Sequence, residues 1–281
     1  STVLVSSSDS MYSVLGARIA KHANRACVHD IYDDFDTFAS ARIPFLLSAF
    51  YRCLRQSTDI VVFEGRLSDH LARKQVRSTA IVPNGIDQTL FHPKPRGDCR
   101  QALGLPPDAP ILGYFGGINA NRNIEDIFTA HRLLMQSEPD ALLLLAGSLD
   151  KAVALPADNV TYLGMLPHDR MGTLIGACDV LTATVRKDQS ADLSYPVKIM
   201  EYIACQRPFL TPNRGGAADF LRDQPEYMFE VGDAQGLAEK IRHLLGREQH
   251  RFPDVFTWDQ AAVAFSEVID RTSAPGAAAG G

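Results

Sequence analysis

A lysine and a glutamate stand three residues apart in the stretch DLSYPVKIMEYIACQRP at 192–208 and could bind one ligand together. Pro196 suits the first position of a helix, so the pattern predicts a helix over 196–205 with Lys198 in its first turn. A cation there opposes the helix dipole unless an anion lies between them. Glu201 shares the face of Lys198. Lys198 can pair with a diphosphate, while Glu201 accepts hydrogen bonds from two vicinal hydroxyls such as those of a ribose.

The alternative is a salt bridge between these two residues on a surface helix, which would contribute only about 0.2 to 0.5 kcal/mol. The helix also carries apolar side chains at four positions and is flanked by apolar strands, so we expect most of it to be buried. These positions are Ile199, Met200, Ile203 and Ala204. A lysine and a glutamate at the open end of a buried helix favour the ligand interpretation.

A second candidate turn is GYFGGINANRNIEDI at 113–127, in which Gly116 and Gly117 lie between a strand and a helix predicted from 122. Glycines let the backbone approach a phosphate, and a helix N-terminus offers free N–H groups with a partial positive charge. Arg122 adds a cation at that helix start, where an anion would offset its repulsion by the dipole. Because Gly-Gly pairs also serve ordinary tight turns, phosphate binding and a plain turn both stay open on these residues alone.

Both stretches are positioned by a regular alternation of strands and helices beyond residue 110. Apolar runs predict strands at 111–117, 141–147, 160–164, 179–185, 207–211 and 226–231. Helical periods predict helices at 122–136, 168–177, 196–205, 216–222, 234–246 and 258–270. Such strands, apolar on both faces, indicate an α/β fold with a doubly wound parallel sheet, in which ligands bind beyond the carboxyl ends of the strands.

The first 90 residues repeat this pattern on a smaller scale. Strands are expected at 2–7, 26–31, 59–65 and 78–85, with helices at 11–23, 44–57 and 67–75 between them. The proline-rich region 93–110 has the composition of a linker, so we place a domain boundary near 88–108. The chain then consists of a partial Rossmann-like domain over 1–90, a complete one over 91–272 and a low-complexity tail at 273–281 that we expect to be disordered.

The composition is that of a globular protein and argues against several classes. The 281 residues are 46% hydrophobic and 22% charged with a net charge of −5, which argues against disorder and against a nucleic-acid partner. The five cysteines are scattered without a CxxC pair, so we expect neither a disulfide framework nor a metal site, and favour a reducing, cytoplasmic setting. No apolar run approaches the roughly 20 residues of a membrane span.

The predicted helix 44–57 allows two interpretations. Its apolar positions are joined by Arg52 and Arg55, and more basic residues follow. A helix face of this kind can contact anionic lipid, which would place the protein peripherally at the inner face of a membrane. The alternative, which we favour, is a core helix with a solvated basic edge.

Five segments, taken in order, resemble successive signatures of the family 4 retaining glycosyltransferases. They are VPNGID..LFHP (82–93), GYFGGIN...RNIEDIFTAHRLL (113–134), LLLLAGS (142–148), VTYLGMLPHDRMGTLIGACDV (160–180) and YPVKIMEYIACQRPFL (195–210). The upstream VHDIYDDFDTF at 28–38 is similar to a segment of the envelope-polysaccharide members of that family. The ordered set is far more specific than any one motif.

The resemblance implies a GT-B fold of two Rossmann-like domains, of which the N-terminal one is incomplete here. It implies a nucleotide-sugar donor, a UDP-sugar first among the candidates, in the C-terminal domain, a glycan or lipid-linked acceptor in the N-terminal domain, and no metal or other cofactor. Glu201 would hold the ribose, and Arg122 and Lys198 the diphosphate. The other implied donor-site residues are Gly116 and Gly117 at the turn, Met165 and Leu166 at the base, and Ser194 and Tyr195 near the sugar.

Three positions depart from the family pattern. Gly117 stands where the family often has an arginine, and Leu193 where it often has a glutamate. Gln206 stands where a glycine is usual. The first two departures bear on donor binding, and the third has no explanation in the sequence.

The candidate catalytic groups in the N-terminal part are His29, Asp30 and Asp33, at the end of the strand 26–31. A retaining transferase needs chiefly stabilisation of the leaving group, here by Lys198 and Arg122, and a route for the acceptor proton. Asp33 or His29 can supply that route, and we prefer Asp33. The alternatives are that His29 is a packed histidine at a strand end and that Asp33 caps a helix.

The short N-terminal part leads to three expectations about the chain. It is a fragment, a naturally short enzyme, or a protein whose first sheet a second chain completes. The main hypothesis for function is an active retaining glycosyltransferase. The alternatives are a non-catalytic sugar-nucleotide-binding or scaffold subunit and, third, a GT-B sugar-nucleotide epimerase.

Overall fold

The computed structural model describes residues 3–7, 9–184, 197–245 and 252–273. The chain divides into two compact units, one of Ser1–Gly85 with Phe256–Gly281 and one of Ile86–Val255. The predicted sugar-site residues Ser194 and Tyr195, the departure at Leu193 and the tail from residue 274 lie outside the described residues. None of the described helices combines the length and the apolar character that crossing a membrane requires.

The first unit is built on a parallel four-stranded sheet in the order β1-β2-β3-β4. Its elements are β1 (Val3–Ser7), α1 (Ser10–His22), β2 (Ala26–Ile31), α2 (Leu46–Arg55), β3 (Asp59–Val62), α3 (Gly65–Arg73), β4 (Ala80–Ile81) and, from the far end of the chain, α10 (Trp258–Ser273). Two short 3-10 helices, Phe35–Thr37 and Ala39–Arg42, lie between β2 and α2. Each predicted strand and helix of this region is present, although the strand expected at 78–85 is only two residues long.

The second unit contains a parallel six-stranded sheet in the order β10-β9-β8-β5-β6-β7. Its elements are α4 (Arg96–Leu103), β5 (Ile111–Phe115), α5 (Ile124–Leu134), β6 (Leu142–Ala146), β7 (Val160–Tyr162), α6 (Met171–Ala177), β8 (Val180–Thr182), α7 (Lys198–Ala204), β9 (Phe209–Pro212), α8 (Gly215–Phe220), β10 (Met228–Phe229) and α9 (Ala234–Leu245). The chain runs outward from β5 to β7 and then crosses back to β8 on the other side of β5. This is the doubly wound arrangement predicted from the sequence, with its switch point between β5 and β8.

The central strands owe their position to continuous apolar runs. All five residues of β5 are buried, and so are the last four of the leucine-rich β6, because helices cover both faces of the sheet. Each fully buried leucine of this kind stabilises the fold by about 1.5 to 3 kcal/mol relative to an exposed one. The core therefore fixes the strands whose carboxyl ends carry the candidate site.

The region predicted as a linker contains a helix. α4 follows Pro95 and ends at Gly104, whose φ of 65° is the left-handed conformation that commonly terminates helices. Its Arg100 is only 2% exposed. The guanidinium donates to the carbonyl of Ala177 at 3.0 Å and to Asp179 Oδ2 at 2.6 Å, so the connection is anchored to the second unit. The frequency of proline predicted a linker here. The ion pair between Arg100 and Asp179, which are distant in the sequence, instead holds α4 against the second unit.

The last helix packs on the first unit, whereas the sequence boundary had grouped it with residues 91–272. Val268 of α10 packs with Val28 of β2 and Val61 of β3. Asp59, at the start of β3, accepts hydrogen bonds from Thr272 Oγ1 at 2.5 Å and from Arg271 Nη2 at 2.6 Å. Periodicity in one sequence shows that a helix has an apolar face, but not which core that face joins.

We expect Arg100→Met to lower the free energy of unfolding by about 3 to 5 kcal/mol, because it leaves the nearly buried Asp179 carboxylate without its buried partner. Urea denaturation followed by circular dichroism measures the change. Arg96→Ala is the matched control, since Arg96 pairs with the same carboxylate from an exposed position and should contribute about 1 kcal/mol or less. Equal effects of the two variants would contradict the assignment.

Candidate functional site

The candidate site lies in the second unit, at the carboxyl ends of the strands around β5. Lys198 of α7 reaches the last residue of β5, where its Nζ donates to the Phe115 carbonyl at 2.6 Å. The same Nζ lies 5.0 Å from the centroid of the Tyr114 ring, a cation–π contact. This places the lysine at the switch point of the sheet, where doubly wound folds bind their ligands.

Gly116 makes room for the lysine. Its φ of 142° is a conformation that other residues rarely adopt, and a Cβ atom on it would lie 2.5 Å from Lys198 Nζ. From the sequence, this glycine was expected to admit a phosphate. In the structure, the space that a side chain on Gly116 would fill is occupied by the Lys198 amine, the group expected to bind the phosphate.

A second glycine, Gly147 after β6, was not identified from the sequence. Its φ is 130°, and a Cβ there would lie 2.0 Å from the carbonyl oxygen of Gly116. Gly116 also donates its N–H to the Ala146 carbonyl at 2.8 Å, so the two strand ends are held together. The signal was present in LLLLAGS, as a glycine directly after a buried strand. Gly147 is therefore needed for the close approach of the β5 and β6 ends, whereas Gly116 makes room for Lys198.

Tyr114 supports the turn from inside the sheet. Its hydroxyl donates to the Gly117 carbonyl at 2.8 Å and lies 3.1 Å from Thr184 Oγ1 beyond β8. The tyrosine thus ties the turn after β5 to the residues after β8, on the two sides of the switch point. Gly117 itself has an ordinary backbone, and a Cβ on it would meet Asn119 Nδ2 at 3.2 Å.

Two cations lie close together at this turn. Burial and, to a smaller extent, the nearby charge of Arg122 lower the pKa of Lys198, Glu201 opposes the shift, and the resulting pKa is about 8. Arg122 ends a 3-10 helix, Ala120–Arg122, and α5 begins two residues later, so the predicted helix start at 122 was early by two residues. In the described part of the chain neither cation forms an ion pair with a carboxylate. The site therefore holds positive charge that a polyanion would neutralise.

Glu201 lies one turn along α7 from Lys198, and its side chain is 13% exposed. His168 Nε2 donates to Glu201 Oε1 at 3.1 Å. The His168 side chain is 66% exposed, and its ring meets the buried ring of Phe91 edge-on at 5.1 Å. His168 was not identified from the sequence, although it lies inside the segment 160–180.

The segment after β7 leads to His168. Gly164 has a φ of 71°, and Met165 and Leu166 follow it before the 3-10 helix His168–Arg170. Among the described residues no backbone hydrogen bond involves the peptide groups of Met165 or Leu166. The segment with these two residues leads directly to His168, which contacts Glu201.

His29 and Asp33, the two candidates for the route of the acceptor proton, lie in the first unit. His29 is completely buried, its Nε2 is 3.6 Å from Cys27 Sγ, and burial lowers its pKa to about 4. It is therefore a packed, neutral histidine of β2. Asp33 is half-buried and accepts the N–H of Asp34 at 2.7 Å, while Asp34 caps the 3-10 helix. Of the two, only Asp33 reaches solvent.

Gln206, the unexplained departure, follows α7 with a φ of 51°, which explains why a glycine is usual there. Its side chain compensates by binding the distant residue Phe252. Gln206 Oε1 accepts the Phe252 N–H at 2.9 Å, and Gln206 Nε2 donates to the Phe252 carbonyl at 3.2 Å. The glutamine thus joins the end of α7 to a segment 46 positions away.

Comparison with known proteins identifies relatives. Residues 109–247 match the family described as Glycosyl transferases group 1. A D-inositol 3-phosphate glycosyltransferase of Segniliparus rotundus is 23% identical over 205 residues, which cover 65% of this chain and 44% of that protein. A GDP-mannose-dependent monoacylated alpha-(1-6)-phosphatidylinositol monomannoside mannosyltransferase of Corynebacterium glutamicum is 24% identical over 175 residues, 58% of this chain and 46% of that protein. The chain spans about half the length of these curated relatives.

Solved structures share the fold. HepE of Anabaena in complex with UDP has a TM-score of 0.73 at 16% identity, covering 96% of this chain and 78% of that one. Sucrose-phosphate synthase from Thermosynechococcus elongatus has a TM-score of 0.71 at 19% identity, covering 96% and 73%. The α/β fold with two Rossmann-like parallel sheets is therefore that of GT-B glycosyltransferase structures, as predicted. Residues 109–247, just under half of the chain, are thus similar to the group 1 glycosyltransferases.

Proposed function

We propose that this protein transfers a sugar from a nucleotide-sugar donor, a UDP-sugar first, to a glycan or lipid-linked acceptor, with retention of configuration and without a metal ion. The observation that carries the proposal is the pair of cations at the switch point. The amine of Lys198 is buried, and it lies near a second cation, Arg122; both features disfavour its charged form and lower its pKa. Such an arrangement is unfavourable until a polyanion such as a diphosphate binds between them.

The chemistry of the reaction fits these residues. As the bond to the sugar breaks, negative charge develops on the diphosphate, and cations that are already in place stabilise it without reorganisation. Lys198 and Arg122 would do this, and Glu201 would accept hydrogen bonds from the ribose. Ser194 and Tyr195 remain the proposed neighbours of the sugar. Metal independence follows in this proposal from the two cations supplied by the chain.

On the acceptor side we propose Asp33 as the group that receives the proton of the acceptor hydroxyl. Its carboxylate is half-buried and keeps one oxygen free of the bond to Asp34. His29 is unsuited to direct contact because it is completely buried. We therefore keep His29 as a packing residue behind the strand end.

A non-catalytic sugar-nucleotide-binding subunit is the second candidate. It is favoured by Gly117, which stands where relatives often carry an arginine. Such a subunit would bind the nucleotide without hydrolysing or transferring the sugar. Turnover of a UDP-sugar by the isolated chain would exclude it.

Membrane contact is proposed for one surface of the first unit. The core-helix interpretation holds for α2, whose Phe50, Tyr51 and Leu54 are buried. Just before α2, however, Phe45 is 88% exposed with a left-handed φ of 64°, beside the exposed Ile43. A bulky residue in this conformation is unusual and points to a role for the exposed ring. With the exposed basic edge of α2, this tip suits an anionic bilayer.

Isothermal titration calorimetry tests donor binding. We expect UDP to bind more tightly than GDP or ADP, and Glu201→Gln to raise the dissociation constant for UDP about tenfold, because a neutral amide accepts ribose hydroxyls less strongly. Glu239→Gln, an exposed glutamate of α9, is the matched control and should leave binding unchanged. Failure of all three nucleotides to bind at millimolar concentration would contradict the proposal.

UDP affinity should fall as the pH rises above about 8. Lys198 is charged below its lowered pKa of about 8 and loses that charge above it, whereas the diphosphate, with a second pKa near 6, is already fully ionised. Titrations between pH 7 and 8.5 measure the decline, in a range where the uracil ring keeps its N3 proton. Uridine, which lacks the diphosphate, is the control and should bind with no such pH dependence. An equal decline for uridine would exclude Lys198 as the titrating partner.

Vesicle sedimentation tests the membrane contact. Phe45→Ser should lower partitioning onto vesicles containing phosphatidylserine about tenfold, because it removes an aromatic ring that the bilayer would bury. Val263→Ser, an exposed apolar residue on α10, should have no effect. Equal losses for both variants, or no binding by the wild type, would contradict the proposed surface.

A further inference from the structure

The contact between His168 and Glu201 joins two separate parts of the second unit. His168 begins the 3-10 helix after β7, and Glu201 lies on α7, 33 positions later in the chain. His168 follows the carboxyl end of β7, and α7 begins on the carboxyl side of β8, so the two residues meet at the carboxyl edge of the sheet. The hydrogen bond is therefore made at the place where ligands bind in this fold.

This contact is poorly explained as a contribution to stability. Ion pairs with one largely exposed partner contribute about 0 to 1 kcal/mol, and His168 is the exposed partner. The glutamate is different, because its side chain is mostly buried and has few orientations available. A donor that fixes one of its oxygens determines where the other one points.

The ring of His168 is itself held in place. It packs edge-on against the buried ring of Phe91, which restricts the ring orientation and aims Nε2 at Glu201. Since the carboxylate accepts, Nε2 carries the proton in this contact. In the described residues the second oxygen of Glu201 makes no hydrogen bond, so it is available to a ligand.

On the basis of the proposed donor binding, we infer that His168 is a positioning residue for the ribose. It holds Glu201 Oε1 so that the carboxylate presents its remaining acceptor positions to the vicinal hydroxyls. Because His168 follows Leu166 by two residues, it also couples the segment proposed to recognise the base to the carboxylate proposed to recognise the ribose. His168 acts through Glu201 and does not itself contact the nucleotide.

The test compares two substitutions that separate ring packing from hydrogen bonding. His168→Phe keeps an aromatic ring against Phe91 but removes the donor, and His168→Gln restores an N–H at a similar reach. We expect His168→Phe to raise the dissociation constant for UDP about tenfold, the effect of one charge-assisted hydrogen bond, and His168→Gln to stay within about threefold of the wild type.

A nucleotide without the hydroxyls tests whether the effect passes through the ribose. Binding of 2′,3′-dideoxy-UDP should be weaker than binding of UDP in the wild type and nearly unchanged by His168→Phe. In the Glu201→Gln background, His168→Phe should add less than about twofold to the loss, since the two residues act as one unit.

Several outcomes would overturn the inference. If Glu201→Gln weakens UDP binding and His168→Phe does not, His168 has no positioning role. If His168→Phe weakens UDP and the dideoxy nucleotide equally, its effect is structural or acts on the base. If wild-type protein binds no UDP, the proposed function fails together with this inference, and that result is distinct from the other two.

Discussion

The amine of Lys198 occupies the space that a side chain on Gly116 would fill, and the rest of the candidate site depends on this contact. It places a cation at the carboxyl end of β5, over the ring of Tyr114. Beside it, the ends of β5 and β6 approach so closely that a Cβ on Gly147 would lie 2.0 Å from the Gly116 carbonyl oxygen. The backbone at the switch point is therefore shaped around one lysine, and the sheet supplies the rigidity that keeps it there.

The position of Lys198 lowers the stability of the fold. Burying an amine disfavours its charged form, and a second cation nearby adds repulsion, so the lowered pKa of Lys198 records a free-energy cost in the unliganded protein. Tyr114 and the Phe115 carbonyl offset part of that cost without neutralising the charge. A ligand with two or more negative charges would remove the remainder. Functional sites commonly contain groups with shifted pKa values of this kind. The surrounding apolar core supplies the stability that offsets their cost.

Sequence patterns predicted most of the fold because burial of apolar side chains, which stabilises it most, requires apolar residues at regular spacings. Apolar runs such as the leucines of β6 identified the buried strands, and Lys198, Glu201 and Gly116 were found because each is unusual in its local context. The patterns failed where long-range contacts decide. The buried pair of Arg100 with Asp179 holds a helix in a proline-rich stretch, and Val268 joins a core formed by strands more than 200 positions earlier. His168 lacked any local signal, since its partner lies on another element.

The order of the proposed donor residues along the chain follows from the topology of the sheet. The first strand, β5, lies at the centre and carries Gly116 and then Arg122, so a diphosphate contact comes early in the domain. The sheet then grows to β7, and the chain returns through α6 to add β8 on the other side of β5. That return carries the segment with His168 over the site before α7 supplies Glu201. A residue that links base to ribose can therefore lie in this connection, because the strand order makes the chain pass from β7 back to the other side of β5 before it reaches α7.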